Sequence, residues 1–278
     1  MPPDPGSPVG VFDSGVGGLS VLRHLWSELP HEEVIFFADQ AHVPYGPRPL
    51  EQVRQFSVEI TRWLLARGAK LIVVACNTAS AAALHHLRQV FPETPFVGME
   101  PAVKPAAEST RSGRVGVLAT PATFQGELYA SVVERFAAGV QLMTHTCPGL
   151  VAQIEAGQLD TPKTRRILEE ALQPMLAAGI DTVVLGCTHY PFVIPLIEEI
   201  AGPGVRVIDP APAIARQARR LLVERGWLSS ARESRPPHPC TRFLTTGDPR
   251  KLEAQLPKLL GISASVDQIN FSEPPGPA

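Results

Sequence analysis

Short, unbroken runs of apolar and largely β-branched residues recur along this chain, and they leave few folds open to it. VGVF at 9–12, VIFFA at 34–38, LIVVA at 71–75 and VGVL at 115–118 show no polar alternation. A strand that is apolar on both faces belongs in a parallel sheet covered by helices on each side. Helical patterns stand between these runs. Leu19 to Leu29 has apolar residues at 19, 22, 25, 26 and 29, and the stretch from Pro49 to Ala66 aligns Val53, Phe56, Ile60, Trp63 and Leu64 before Gly68 ends it. Thr161 and Pro162 suit the start of a helix over 163–178, which should kink at Pro174 and close at Gly179. The alternation predicts a mainly parallel α/β fold.

The chain also echoes itself. RGAKLIVVACNT at 67–78 aligns with AGIDTVVLGCTH at 178–189, placing Gly68 over Gly179 and Cys76 over Cys187 at an offset of 111. VGVFDSG at 9–15 resembles VGVLATP at 115–121, and VGMEPA at 97–102 resembles VIDPAP at 207–212. Any one match could be two buried strands that look alike. Three in the same order predict two pseudosymmetric, mainly parallel α/β halves.

Composition narrows the function classes. With 278 residues, 44% hydrophobic and 19% charged, the chain can bury one large or two smaller cores. A net charge of −2, from 25 basic and 27 acidic residues, provides no footprint for nucleic acid or an anionic membrane. No apolar stretch approaches the roughly 20 residues that span a bilayer, and the opening MPPDPGSP lacks the basic and apolar regions of a signal peptide. A cytoplasmic location is expected, where the thiols at 76, 147, 187 and 240 stay reduced. The proline-rich segments 1–8, 229–240 and 272–278 read as loops or chain ends.

The chemistry centres on LIVVACNTASAA at 71–82, where an apolar run stops at a thiol, an amide and a hydroxyl. In open α/β sheets, ligands bind beyond the carboxyl ends of the strands. A free cysteine is commonly just a small buried hydrophobe. If a pseudo-twofold axis relates the halves, however, Cys76 and Cys187 face each other across one cleft. One thiol on each side of a small substrate is an arrangement for taking a proton from one face of a carbon and returning one to the other. A thiol of pKa about 8.5 is a workable base once a helix N-terminus or an imidazolium lowers that value.

Other readings stay open at the level of residues. DSGVGG lacks the third glycine of a dinucleotide fingerprint and the Gly-Lys of a triphosphate loop. His145-x-Cys147 and Cys187-x-His189 supply four zinc-type ligands, though not at usual structural-zinc spacing; His145 also reads as a strand residue. Pyridoxal phosphate would need a lysine at a strand end, and the five lysines at 70, 104, 163, 251 and 258 fall in no such motif. A cysteine-dependent amidohydrolase, with His189 as base, would leave the second thiol unused, and an amino-acid-binding protein would gain nothing from the pair.

GVFDSGVGGLSVL, ADQAHVPYG, VVACNTASA, LGCTHYPF and TTGDP, in that order, resemble the motifs of the cofactor-independent glutamate racemases, over Gly10 to about Leu260. The resemblance implies that Cys76 and Cys187 are the two acid/base thiols, Asp13 assisting the first and His189 the second, with Glu155 a further carboxylate of the catalytic set. It implies substrate contacts from Ser14, Pro44, Tyr45, Gly46, Asn77, Thr78 and Thr188, and from Thr120 and Thr123 in TPATFQGELY, which departs from the pattern at Gly126, where serine is common. Also implied are no metal and no cofactor, glutamate as substrate, a homodimer, a role in supplying D-glutamate for peptidoglycan, and a chain that returns after Asp209 to complete the first domain. The expected domains are thus 1–99 with 210–278, and 100–209, with the site in the cleft between them. A related aspartate racemase is the near alternative. No arginine occurs in the motifs quoted up to LGCTHYPF, so hydroxyls, amides and backbone N–H groups are the expected carboxylate donors.

Overall fold

The computed structural model describes residues 4–229 and 240–270. Of the segments read as loops, residues 1–3, 230–239 and 271–278 lie outside the described residues, and 4–8 carry no regular structure beyond turns.

The first half of the chain lays down β1 (Val9–Asp13), β2 (Val34–Ala38), β3 (Leu71–Val74) and β4 (Phe96–Gly98), linked by α1 (Leu19–Glu28), α2 (Leu50–Leu65) and α3 (Asn77–Val90). After α4 (Val103–Ser109) come β5 (Arg114–Ala119), α5 (Pro121–Gln125), α6 (Glu127–Phe136), β6 (Gln141–His145), α7 (Leu150–Glu155) and α8 (Pro162–Ala177). The chain continues through β7 (Thr182–Gly186), a 3₁₀ turn at Tyr190–Val193, α9 (Ile194–Ala201) and β8 (Arg206–Ile208). It ends with α10 (Ala211–Glu224), β9 (Thr241–Thr245), α11 (Pro249–Leu260) and β10 (Val266–Gln268).

The strands form two sheets, ordered β10-β9-β2-β1-β3-β4 and β6-β5-β7-β8, and every neighbouring pair is parallel. The internal echo falls on this topology. β5 lies between β6 and β7 as β1 lies between β2 and β3, and the matched segments occupy equivalent strands, so Cys76 follows β3 as Cys187 follows β7. Gly68 and Gly179, the aligned helix stops, both take left-handed backbone at φ +78° and +81°, where a glycine avoids the Cβ clash. α8 continues as one helix through Pro174, which stands in its last turn.

The lack of alternation has a direct cause. On the first sheet, Val9, Val11, Phe36, Leu71 and Val73 enter the core shared with α1 and α10, while Phe12, Phe37, Ile72 and Val74 enter a second core with residues of α2 and α3. Burying such a side chain stabilises the fold by roughly 1.5–3 kcal/mol, so both faces of each strand need apolar residues. α10 packs on α1 and on β3 and β4, and β9 and β10 extend the first sheet, so the chain beyond β8 rejoins the half formed first. At the amino-terminal edge of that sheet, the buried Lys70 ammonium lies 2.6 Å from Glu32 Oε2 and donates to the carbonyls of Pro5 and Trp227. Among the described residues no helix is long and apolar enough to cross a membrane.

Candidate active site

The carboxyl ends of β1, β3, β5 and β7 converge on one narrow cleft. Cys76 and Cys187 both line it, 4% and 6% exposed. So do Ser14, Pro44, Tyr45 and Gly46 from the loops after β1 and β2, and Asn77, Thr78, Thr120, Thr188 and His189 from the strand ends that follow. Val151 of α7 completes the wall.

Cys76 is the N-cap of α3, and its Sγ accepts the Ala79 N–H at 3.4 Å, with Ser14 Oγ at 4.0 Å. That N–H lies at the positive end of the helix, where developing thiolate charge is stabilised. In the resting site, burial pushes the Cys76 thiol well above its usual range and the Asp13 charge adds to this, against the Ala79 N–H. The resting group is therefore a protonated thiol.

Cys187 is supported differently. His189 Nδ1 stands 3.8 Å from its Sγ, and on the far side of the ring Nε2 lies 2.6 Å from Glu155 Oε1. Burial alone would lower the imidazole pKa, but its hydrogen bonds to Cys187 and Glu155, with their charges, hold it well above the ordinary value. Burial would likewise raise the Glu155 carboxyl; the His189 bond and charge, the Val16 N–H at 2.8 Å and the Gln40 amide outweigh it and keep it ionised. An imidazolium between a carboxylate and a thiol stabilises the thiolate.

Asp13 lies behind the cleft wall. Its carboxylate accepts from Gly15 N–H at 3.0 Å and from the Thr188 hydroxyl at 3.2 Å, and burial raises its pKa against the His189 charge and the N–H groups of Gly15 and Gly18. Its bond from Thr188 thus reaches the second half of the chain, while its effect on Cys76 is through space. Thr123 is also set back: it holds Thr120 Oγ1 at 2.9 Å, and Thr120 in turn meets Thr78 at 2.8 Å. Gly126 brings its α-carbon against Ala81, where an added Cβ would come within 2.6 Å of the alanine methyl. Glu155 faces the wider mouth beside the cleft.

Asn77 is the most informative donor. It is 2% exposed, and neither Nδ2 nor Oδ1 has a partner among the described residues. A buried amide with both ends unmet costs several kcal/mol unless a ligand satisfies it, of order 1–3 kcal/mol per group. The glycines of DSGVGG give the close approach this site needs: a Cβ on Gly15 would stand 2.0 Å from Glu155 Oε1.

Residues 17–218 match the Asp/Glu/Hydantoin racemase family. The chain belongs to that family. This racemase, an isomerase, is 51% identical to the glutamate racemase of Ectopseudomonas mendocina over 94% of its own length and 97% of the relative's. Its fold is similar to that of a Bacillus anthracis glutamate racemase, with TM-score 0.84, 34% identity and coverage of 95% and 97% of the two chains. It is also similar to the Francisella tularensis glutamate racemase solved in complex with D-glutamate, with TM-score 0.83, 29% identity and coverage of 96% and 98%.

Several participants went unassigned in the sequence. Asp39 and Gln40 follow β2, and Thr245 and Thr246 close and follow β9. The buried Asp39 accepts from the Tyr45 hydroxyl at 2.5 Å and from Thr246 Oγ1 at 2.7 Å, and it meets His42 Nδ1 at 2.9 Å. ADQAHVPYG and TTGDP contain them, and the strand-end rule that singled out Cys76 applies to both. Among the described residues no three His, Cys, Asp or Glu side chains gather as a metal site, so the two zinc-type pairs do not combine.

Proposed function

We propose that this racemase interconverts L- and D-glutamate by two-thiol proton exchange at the α-carbon, with no cofactor. The observation that carries the reading is the pair of cysteines at equivalent strand ends lining one cleft. In one direction Cys187, as thiolate beside His189, takes the α-proton, and the electron pair of the C–H bond moves toward the substrate carboxylate. The Cys76 thiol then gives its proton to the opposite face, and the electron pair re-forms a C–H bond. The reverse direction exchanges the roles. Charge developing on the carboxylate is met by donors already at the strand ends, from Asn77, Thr78 and Thr188. The unmet amide of Asn77 supports this role. His189 and Glu155 support the Cys187 thiolate, and Asp13 acts near Cys76.

The division into domains 1–99 with 210–278 and 100–209 is part of the same proposal, supported by the way α10, β9 and β10 rejoin the first sheet. A cytoplasmic homodimer that supplies D-glutamate for peptidoglycan is part of the proposal, and the family relationship supports it. Glutamate as substrate is supported by the relative solved with D-glutamate. The direct test is to incubate the purified, chelator-treated protein with each enantiomer of glutamate and of aspartate, followed by chiral analysis. Racemisation of glutamate from either side, and much slower turnover of aspartate, is expected. Preference for aspartate would overturn the substrate assignment, and activity that appears only with added metal would overturn the mechanism.

A further inference from the structure

Gln40 uses both ends of its side-chain amide. Its Oε1 accepts from Thr245 Oγ1 at 3.0 Å, and its Nε2 donates to Glu155 Oε2 at 3.3 Å. Thr245 is fully buried, and its oxygen accepts the Gly247 N–H at 3.0 Å, so its own proton is directed to Gln40. This orients the amide: with its carbonyl on a donor, the NH₂ group must face the carboxylate. Glu155 Oε1 is then the oxygen turned to His189 Nε2 and Val16 N–H. A line of hydrogen bonds therefore runs from Gly247 through Thr245, Gln40, Glu155 and His189 to Cys187. It starts on the first sheet and ends on a thiol of the second. Among the described residues Cys76 has no such line, since the partners of its sulfur, Ala79 N–H and Ser14, belong to its own half.

We propose that Gln40 is a positioning residue for Cys187: anchored by Thr245, it holds the Glu155 carboxylate in the orientation that sets His189 against the thiol. The proposal rests on the two-thiol reading. The titratable groups on this line are Glu155, His189 and Cys187, with Asp13 beside His189 and with Asp248, Arg250 and Lys251 lining the same mouth as Gln40 and Glu155; Gln40 itself does not titrate, so its effect is on geometry and on the strength of charged hydrogen bonds.

The test is Gln40→Met, which keeps the side-chain length and removes both hydrogen bonds. Loss of a hydrogen bond to a charged group should lower kcat/KM about 10-fold. The loss must be equal for L- and D-glutamate, because the equilibrium constant is one. Isotope effects separate the two thiols. With α-deuterated L- and D-glutamate, the primary effect on kcat/KM should rise in the direction in which Cys187 removes the deuteron. It should fall in the other direction, where reprotonation by Cys187 becomes more limiting. Thr245→Val should shift both effects in the same senses, and the double variant should add little. These ratios do not depend on how much of a variant is folded. Unchanged isotope effects, or equal shifts in both directions, overturn the role of Gln40. Wild-type protein in heavy water provides the control on the underlying reading: early label in product alone keeps that reading, so a failure of Gln40→Met is then a failure of this proposal only. Early label in both enantiomers overturns both.

Discussion

Gly15→Ala is the sharpest perturbation of the Cys187 side of the site, because the replacement adds one methyl and touches neither thiol. A Cβ at position 15 would lie 2.0 Å from Glu155 Oε1, 2.8 Å from Cδ and 3.1 Å from Oε2. Real Cβ contacts do not fall below 3.0 Å, so the carboxylate has to retreat by about 1 Å. The bonds from His189 Nε2 at 2.6 Å and Val16 N–H at 2.8 Å cannot both survive that movement. A carboxylate at the end of a flexible side chain, facing the wider mouth, moves at small packing cost, so Tm should fall by only a few degrees, for a loss of about 1 kcal/mol. Activity should respond far more, since a misplacement of about 1 Å costs on the order of 10²-fold. The assay is kcat/KM for both enantiomers by circular dichroism, beside thermal melting. Wild-type activity in a variant of wild-type stability would refute the reasoning, because Glu155 could then leave His189 without consequence.

Other outcomes follow from the same structure. Lys70→Met should cost about 3–5 kcal/mol by leaving Glu32 buried and unpaired, and Lys70→Met with Glu32→Leu should recover part of that loss; urea titration reads both. The Glu155–His189 pair should shape stability against pH. The folded His189 value lies above the ordinary 6.5, so its stabilisation is full below 6.5 and fades as pH rises through the raised value. The folded Glu155 value lies below the ordinary 4.5, so its share is present above 4.5 and fades as pH falls through the lowered value. Thermal melting across pH should show both limbs, and Glu155→Gln should flatten them. Iodoacetamide at neutral pH should label exposed Cys240 first with activity retained, because Cys76, Cys147 and Cys187 are buried and burial holds Cys147 at about 12; early inactivation measured beside peptide mapping would contradict this.

The strands legible in the sequence were those with the most burial. β1, β2, β3 and β5 are apolar on both faces because a helical layer covers each face, and the echo around Cys76 and Cys187 is the repeated order of two sheets. β4, β8 and β10 have three residues each, too few to display a period, and β9 interleaves Arg242 and threonines with its buried Phe243 and Leu244. The same limit applies to the site. Thiols at strand ends could be read from position alone, whereas Glu155 comes from the far end of a six-residue helix and reaches the imidazole only through the packing of α7. Gln40 was not legible as a participant, since nothing local says that its amide spans from Thr245 to Glu155. Asp13 was placed by its motif, but its hydrogen bond to Thr188 joins residues 175 apart in the chain, a contact that no local spacing encodes.

The central claim is that two thiols serve two faces of one carbon. It is tested most directly by following racemisation of each glutamate enantiomer in heavy water at low conversion and measuring α-deuterium in substrate and product separately. The thiol that protonates the product has exchanged with solvent, whereas the other holds the abstracted proton and returns it when the reaction reverses. Deuterium should therefore appear in the product enantiomer at close to one atom per turnover while the remaining substrate stays unlabelled, from either starting enantiomer. Equal early labelling of both enantiomers would mean that a single exchanging base serves both faces, and would contradict the account.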